Sequence, residues 1–110
     1  MGQATGLDCG KLRVALTHER FEWRRHALEQ IASRGIAQED VLAALREGEM
    51  IRGYPDDRPH PSALFLHHMP NGPLHVVAAY DEAGDWAYVI TAYRPDLAHY
   101  LADWRTRRQN

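Results

Sequence analysis

Seven histidines, five tyrosines and thirteen cations, twelve of them arginine, are the side chains of this chain that can do chemistry. A metal centre is the first chemistry to weigh. His67 and His68 are adjacent in an expected strand, so they point to opposite faces and cannot share one ion. His68 and His75 need a third ligand, and no Cys or carboxylate stands at ligand spacing in either hairpin, so no metal is expected. Cys9 has no patterned histidine nearby, and the chain has neither a Gly-x-Ser-x-Gly elbow nor a phosphate-cradling glycine loop. No cofactor is expected. Metal-free phosphodiester cleavage asks for less: a proton-transfer group that works near neutral pH, an arginine to neutralise the phosphorane, and a groove for RNA. His75, His26, Tyr93 and Arg94 are the catalytic candidates, and Arg107 and Arg108 near the C-terminus are the candidate RNA or phosphate contacts. Blander readings stand beside these. His26 also fits a surface helix, His68 and His75 fit half-exposed strand positions, and the arginines fit a solvated tail.

The elements that must position these groups follow from periodicity. Residues 1–10 lack a period and contain three glycines, which predicts a loose arm, followed by a short extended piece at Leu12–Leu16 and a single domain over 11–110. From His18 to Arg34 there is no Pro or Gly, and Trp23, Ala27 and Ile31 recur with Arg24 and Leu28 at three-and-four spacing. One amphipathic helix is expected there, ended by Gly35. A second helix over Gln38–Glu47 carries acid in its first turn and stops at Gly48, and the two form a helical hairpin. The period then becomes two. Met50–Tyr54, Ser62–Met69, Leu74–Asp81 and Trp86–Tyr93 read as a four-stranded antiparallel meander. Pro95-Asp96 opens an expected closing helix with Leu97, Tyr100, Leu101 and Trp104 on one face.

If Asn71-Gly72 centres the first hairpin, His68 faces His75 and Leu66 faces Val77. Phe65, Met69, Leu74, Val76, Ala78, Tyr80, Trp86, Tyr88 and Ile90 then form the face that the helices cover. The other face carries His68, His75, Thr91 and Tyr93 beside Val77, Ala79 and Val89, a polar cluster on apolar ground that suggests a shallow site. The fold class is thus α+β, a helical hairpin on a four-stranded antiparallel sheet with a C-terminal helix.

Composition bounds the rest. With 110 residues, 45% apolar and 25% charged, one soluble globular domain is expected. One cysteine excludes an internal disulfide, and no apolar run suggests a signal peptide or a membrane span, so the cytoplasm is the expected location. Gly2 does not open a myristoylation motif, because position 6 is Gly. A formal charge of −2 speaks against a broad nucleic-acid grip, although protonating all seven histidines would carry it to +5.

Several short stretches follow one order: His26-Ala27, Arg34-Gly35-Ile36, Tyr54-Pro55-Asp56-Asp57, Pro73-Leu74-His75-Val76-Val77, Ile90-Thr91-Ala92-Tyr93-Arg94-Pro95-Asp96 and Trp104. Over about residues 17 to 108 this resembles a bacterial family of small domains of unknown function. Such domains are often encoded beside YgiT-type zinc-finger antitoxins, and their layout looks like that of the RelE and BrnT toxins. The resemblance implies a small antitoxin protein as partner and messenger RNA as substrate. It points to His26, Tyr54, Asp56, His75, Tyr93, Asp96 and Trp104. Gln30 departs from the family, many of whose members carry Arg there, and the net negative charge is unlike ribosome-binding toxins. Two functions are therefore carried forward: a metal-independent endoribonuclease toxin, or a non-enzymatic domain that binds a protein partner or dimerises through a sheet edge.

Overall fold

A computed structural model describes residues 6–109, so the part of the expected arm at residues 1–5 lies outside the described residues. The described residues form α1 (Cys9–Thr17), β1 (Phe21–Trp23), α2 (Arg25–Ser33), α3 (Gln38–Glu47), β2 (Glu49–Tyr54), β3 (Ser62–Met69), β4 (Gly72–Asp81) and β5 (Trp86–Tyr93).

The N-terminal third folds differently from expectation. Asp8 accepts the Lys11 N–H at 3.0 Å, satisfying a donor that a helix start leaves free, so the helix begins inside the expected arm. Leu12–Leu16 is helical rather than extended, because Leu12, Ala15 and Leu16 bury one helical stripe. Nor is His18–Arg34 one helix. Glu19 takes a left-handed backbone at φ 59°, and Phe21-Glu22-Trp23 becomes β1 before α2 resumes. The alternating aromatics Phe21 and Trp23 pack against the core as a half-buried strand, a packing that outweighs the helical spacing around them.

From Gly35 to Met69 the elements fall close to expectation. Gly35 sits at φ 66° just past α2, with the Ile36 N–H donating to Ile31 O at 2.9 Å. At Gly48 a Cβ would stand 2.7 Å from the Leu66 carbonyl oxygen, so the step from α3 into β2 needs glycine.

The sheet runs β1-β5-β4-β3-β2, with β1 parallel to β5 and the other neighbours antiparallel. The fold is α+β with a five-stranded mixed sheet, not four antiparallel strands. All three helices lie on one face. α2 packs along β5, α3 against β3 and β4, and α1 against β5 and α3. Their core joins Leu12, Ile31, Val41 and Leu45 to Phe65, Leu74, Val76, Ala78 and Val89.

Register differs from expectation in two ways. In the β3–β4 hairpin His75 pairs with Leu66 and His68 with Pro73, because the turn is Pro70-Asn71 and Gly72, at φ 122°, already pairs with Met69. His75 therefore keeps its expected face but not His68 as its neighbour. Between β4 and β5 the register shifts at Ile90, where Val77 pairs with Thr91 but Ala78 with Val89. That bulge exchanges the faces of half the strand. Ala87 and Val89 enter the helix-side core, while Trp86 and Tyr88, expected there, lie on the other face opposite Asp81 and Ala79.

The expected closing helix is absent. Residues 95–108 fold as a strap closed by a Tyr100–Arg107 bridge, with the Leu101 N–H donating to Thr106 O and the Arg108 N–H to His99 O. Asp103 is the physical reason. Its carboxylate takes the Thr106 and Arg105 N–H groups at 2.9 and 3.0 Å and the Thr106 hydroxyl at 2.7 Å. Those local bonds replace helical ones and turn the chain at Trp104, φ 61°. Leu97 and Leu101, expected on a buried stripe, are exposed, while Tyr100 alone is fully buried.

Candidate functional site

The strap lies on the sheet face opposite the helices, where strand alternation sets out rows of side chains across the strands. Tyr93, His75, Leu66 and Glu49 form one row; Thr91, Val77, Leu64 and Arg52 the next; Tyr88, Ala79, Ser62 and Tyr54 the third. Each row follows from the pleat, since residues two apart along a strand share a face.

His75 sits beneath the strap with no exposed surface. Its Nε2 lies 2.6 Å from the Trp104 carbonyl oxygen and its Nδ1 3.2 Å from the Tyr93 hydroxyl. A carbonyl can only accept, so Nε2 carries the proton and Nδ1 accepts from Tyr93. The Tyr93 oxygen in turn stands 3.2 Å from the Tyr100 hydroxyl, which donates to it. Burial pushes the His75 imidazole below its ordinary value, aided by the nearby Arg52 charge, although the bond to Trp104 opposes this. Burial also raises the Tyr93 phenol well above its ordinary range. Both rings of the pair are thus held neutral, and both His75 nitrogens are committed.

The solvent-facing chemistry lies one step outward. Tyr93, Arg94, Pro95, Asp96, His99, Tyr100 and Arg107 line a pocket of about 180 Å³ where β5 runs into the strap. His99 Nδ1 lies 2.8 Å from Asp96 Oδ1, and the carboxylate fixes the proton on Nδ1 and leaves Nε2 as the acceptor. The same bond holds Asp96 below its usual carboxylate range. The Arg107 guanidinium lies 5.9 Å from the Tyr100 ring centre, and Arg94 makes a long bond of 3.4 Å to Gly35 O. Among the described residues neither arginine has a carboxylate partner.

A wider groove of about 570 Å³ opens on the same face, lined by Gly53, Tyr54, Pro55, Asp56, Asp57, Ser62 and Val77. Beyond it His60 stacks on Tyr88 at 5.6 Å, and the Arg24 guanidinium lies 4.5 Å from that ring.

The structure therefore gathers His75, Tyr93, Arg94 and Arg107 at one end of the sheet, but separates their roles by exposure. His26 lies elsewhere, exposed on α2 with its ring 3.7 Å from Glu29. Arg108 is tied to the strap, its Nε donating to Leu97 O at 2.5 Å. The His99–Asp96 pair is a site feature that sequence reasoning missed. Its signal was present: in Pro95-Asp96-Leu97-Ala98-His99 the Asp accepts from the third residue on, whether or not a helix follows. Among the described residues no three His, Cys, Asp or Glu side chains cluster as metal ligands, and no helix is long and apolar enough to cross a membrane.

No curated protein and no solved structure matches the chain. Residues 23–94 match a domain of unknown function, DUF4258, a span that begins at the last residue of β1 and holds α2, α3, β2 to β5 and both His75 and Tyr93. With well over half its length inside that match, the chain belongs to the DUF4258 family.

Proposed function

We propose that this chain is an endoribonuclease toxin of a toxin–antitoxin pair, cutting RNA without a metal at the pocket where β5 meets the strap. The observation that carries the reading is the convergence on one pocket of two arginines without carboxylate partners and a histidine oriented by Asp96. In this reading His99 Nε2 takes the proton of a ribose 2′-hydroxyl, whose oxygen attacks the adjacent phosphorus. Arg94 and Arg107 neutralise the phosphorane, and the bond from phosphorus to the 5′-oxygen breaks, leaving a 2′,3′-cyclic phosphate. Water protonates the leaving oxygen. His75 and Tyr93 are positioning residues, since their hydrogen bonds fix the strap that carries His99 and Arg107.

The test is incubation of the full chain with single-stranded RNA in EDTA, with and without ribosomes. Cleavage ending in cyclic phosphate is expected, and His99→Ala should lower its rate about a hundred- to ten-thousand-fold, as loss of a proton-transfer group does. His99 is exposed, so the unfolding midpoint should hardly move. Intact RNA under every condition, together with no growth defect on expression without an antitoxin, would sink this reading. A second reading, a domain that binds a small protein, is favoured by β2. It ends the sheet on the side away from β1 with one unpaired edge, and Met50 and Tyr54 stand exposed on it.

A further inference from the structure

We infer that the groove over Val77 is a base-binding subsite selective for guanine, on the same open sheet face as the Arg94 and Arg107 pocket. This rests on the RNA reading above and adds to it the base the protein prefers.

The groove has the size and the mixed lining of a ligand site. Its volume is about 570 Å³, its floor is the half-buried Val77, and its wall is the Tyr54 ring, which is 36% exposed and free to stack. Stacking on an aromatic side chain is how unpaired bases are commonly held, and it is indifferent to base identity.

Identity must come from the polar groups, and only one of the two aspartates is available. Asp57 is spent within the loop, accepting the Ser62 hydroxyl at 2.6 Å through Oδ2 and the Arg58 N–H at 2.9 Å through Oδ1. Asp56, also in the lining, makes no hydrogen bond and no ion pair among the described residues. A carboxylate with both oxygens open suits two parallel N–H donors. Guanine presents such a pair at N1–H and the N2 amino group. Adenine places an acceptor at N1, cytosine pairs one amino group with an acceptor, and uracil sets its single N–H between two carbonyls.

Arg52 completes the arrangement. It lies on the same face of β2 as Tyr54, two residues before it, half-buried beside His75 and without a carboxylate partner among the described residues. A phosphate leaving a base stacked on Tyr54 toward the Arg94 and Arg107 pocket passes this charge. Both sites lie on the open sheet face, with the row that holds Arg52 and Val77 between the Tyr54 row and the row of His75 and Tyr93. An arginine side chain of a protein partner offers the same fork of donors to Asp56, but it brings no phosphate for Arg52.

Titration of the full chain with GMP, IMP, AMP and arginine amide, followed by NMR, separates these. GMP should bind about tenfold or more tightly than AMP, as expected for a bidentate contact, with IMP between because it lacks the N2 amino group. Asp56→Asn should bring the GMP to AMP ratio to about one without lowering the unfolding midpoint, since Asp56 holds nothing in place. Arg52→Ala should weaken GMP but leave guanosine unchanged. AMP binding as tightly as GMP, arginine amide binding in place of GMP, or no saturable shift with any nucleotide each overturns the subsite. Selection of GMP by a chain that leaves RNA intact would sink the nuclease reading and keep the subsite. Cleavage without a preference for guanine would do the reverse.

Discussion

His75 fills a position where a charge would be stranded. Its ring is enclosed by Tyr93 and Tyr100 in edge-on contacts at 5.2 and 4.7 Å, and its Nδ1 needs a lone pair to accept from Tyr93. Protonation would cost that bond and bury a cation close to Arg52. The consequence is a pH dependence of stability with a defined sign. The folded-state value lies below the ordinary 6.5, so above 6.5 both folded and unfolded chains hold His75 neutral and its contribution is fully present. As pH falls below 6.5 the unfolded chain takes up a proton that the folded one refuses, and stability is lost until the folded value is passed. Urea unfolding from pH 8 to pH 5 should show this fall. His75→Gln, which can still donate to Trp104 and accept from Tyr93 but cannot titrate, should flatten the curve relative to the wild-type chain. An unchanged slope in the variant would mean that another of the seven histidines carries the effect.

Strap and sheet divide the work of holding that ring. Tyr100 is the buried aromatic of the strap, whereas Trp104 contributes its carbonyl to His75 and leaves its indole half-exposed. Tyr100→Ala should therefore cost about 3 kcal/mol, in the range for truncating a buried aromatic, and Trp104→Ala less than about 1 kcal/mol. Denaturant midpoints of the two variants check the order, and equal losses would mean that the indole packs as well. Much of this layout was legible in the sequence and some was not, for local reasons. Gly35, Gly48 and the Pro-rich run at 55–61 punctuate the middle of the chain, where chain geometry requires them, so α3 and strands β2 to β4 could be read directly. The bulge in β5 falls at Ile90 within Val89-Ile90-Thr91, three β-branched residues that give no sign of a slip, so the face of Trp86 and Tyr88 could not be read. The strap misled because Leu97, Tyr100, Leu101 and Trp104 hold a helical spacing, while Asp103 and Thr106 offer the backbone cheaper local bonds. His75 and Tyr93 were identified as neighbours through the pleat. His99 was missed because Asp96 was read as the start of a helix.

Across the whole molecule the formal charge is −2, and the open sheet face sets its arginines among acids, Glu49 in the His75 row, Asp56 and Asp57 in the groove and Asp96 beside the strap. The helix-covered face is apolar core, while the open face carries Arg24 over the Tyr88 ring, Arg107 over the Tyr100 ring and Arg52 on β2, with Arg94 at its end. A chain that gripped nucleic acid broadly would show a steep dependence on salt, because each neutralised phosphate releases counterions. Contacts limited to Arg52, Arg94 and Arg107 predict a shallow one, a slope of log affinity on log salt of about −2 for single-stranded RNA at roughly −0.7 per contact. Raising salt fourfold should then weaken binding roughly twentyfold. Fluorescence anisotropy with a short labelled RNA and the His99→Ala chain, which keeps the RNA intact during the titration, reads this slope directly. Arg107→Ala should reduce its magnitude by about 0.7, the share of one phosphate. A slope near zero would mean that the arginines do not meet phosphate at all. A slope steeper than about −4 would require cations from outside this face, and the small pocket beside the strap would no longer account for the binding.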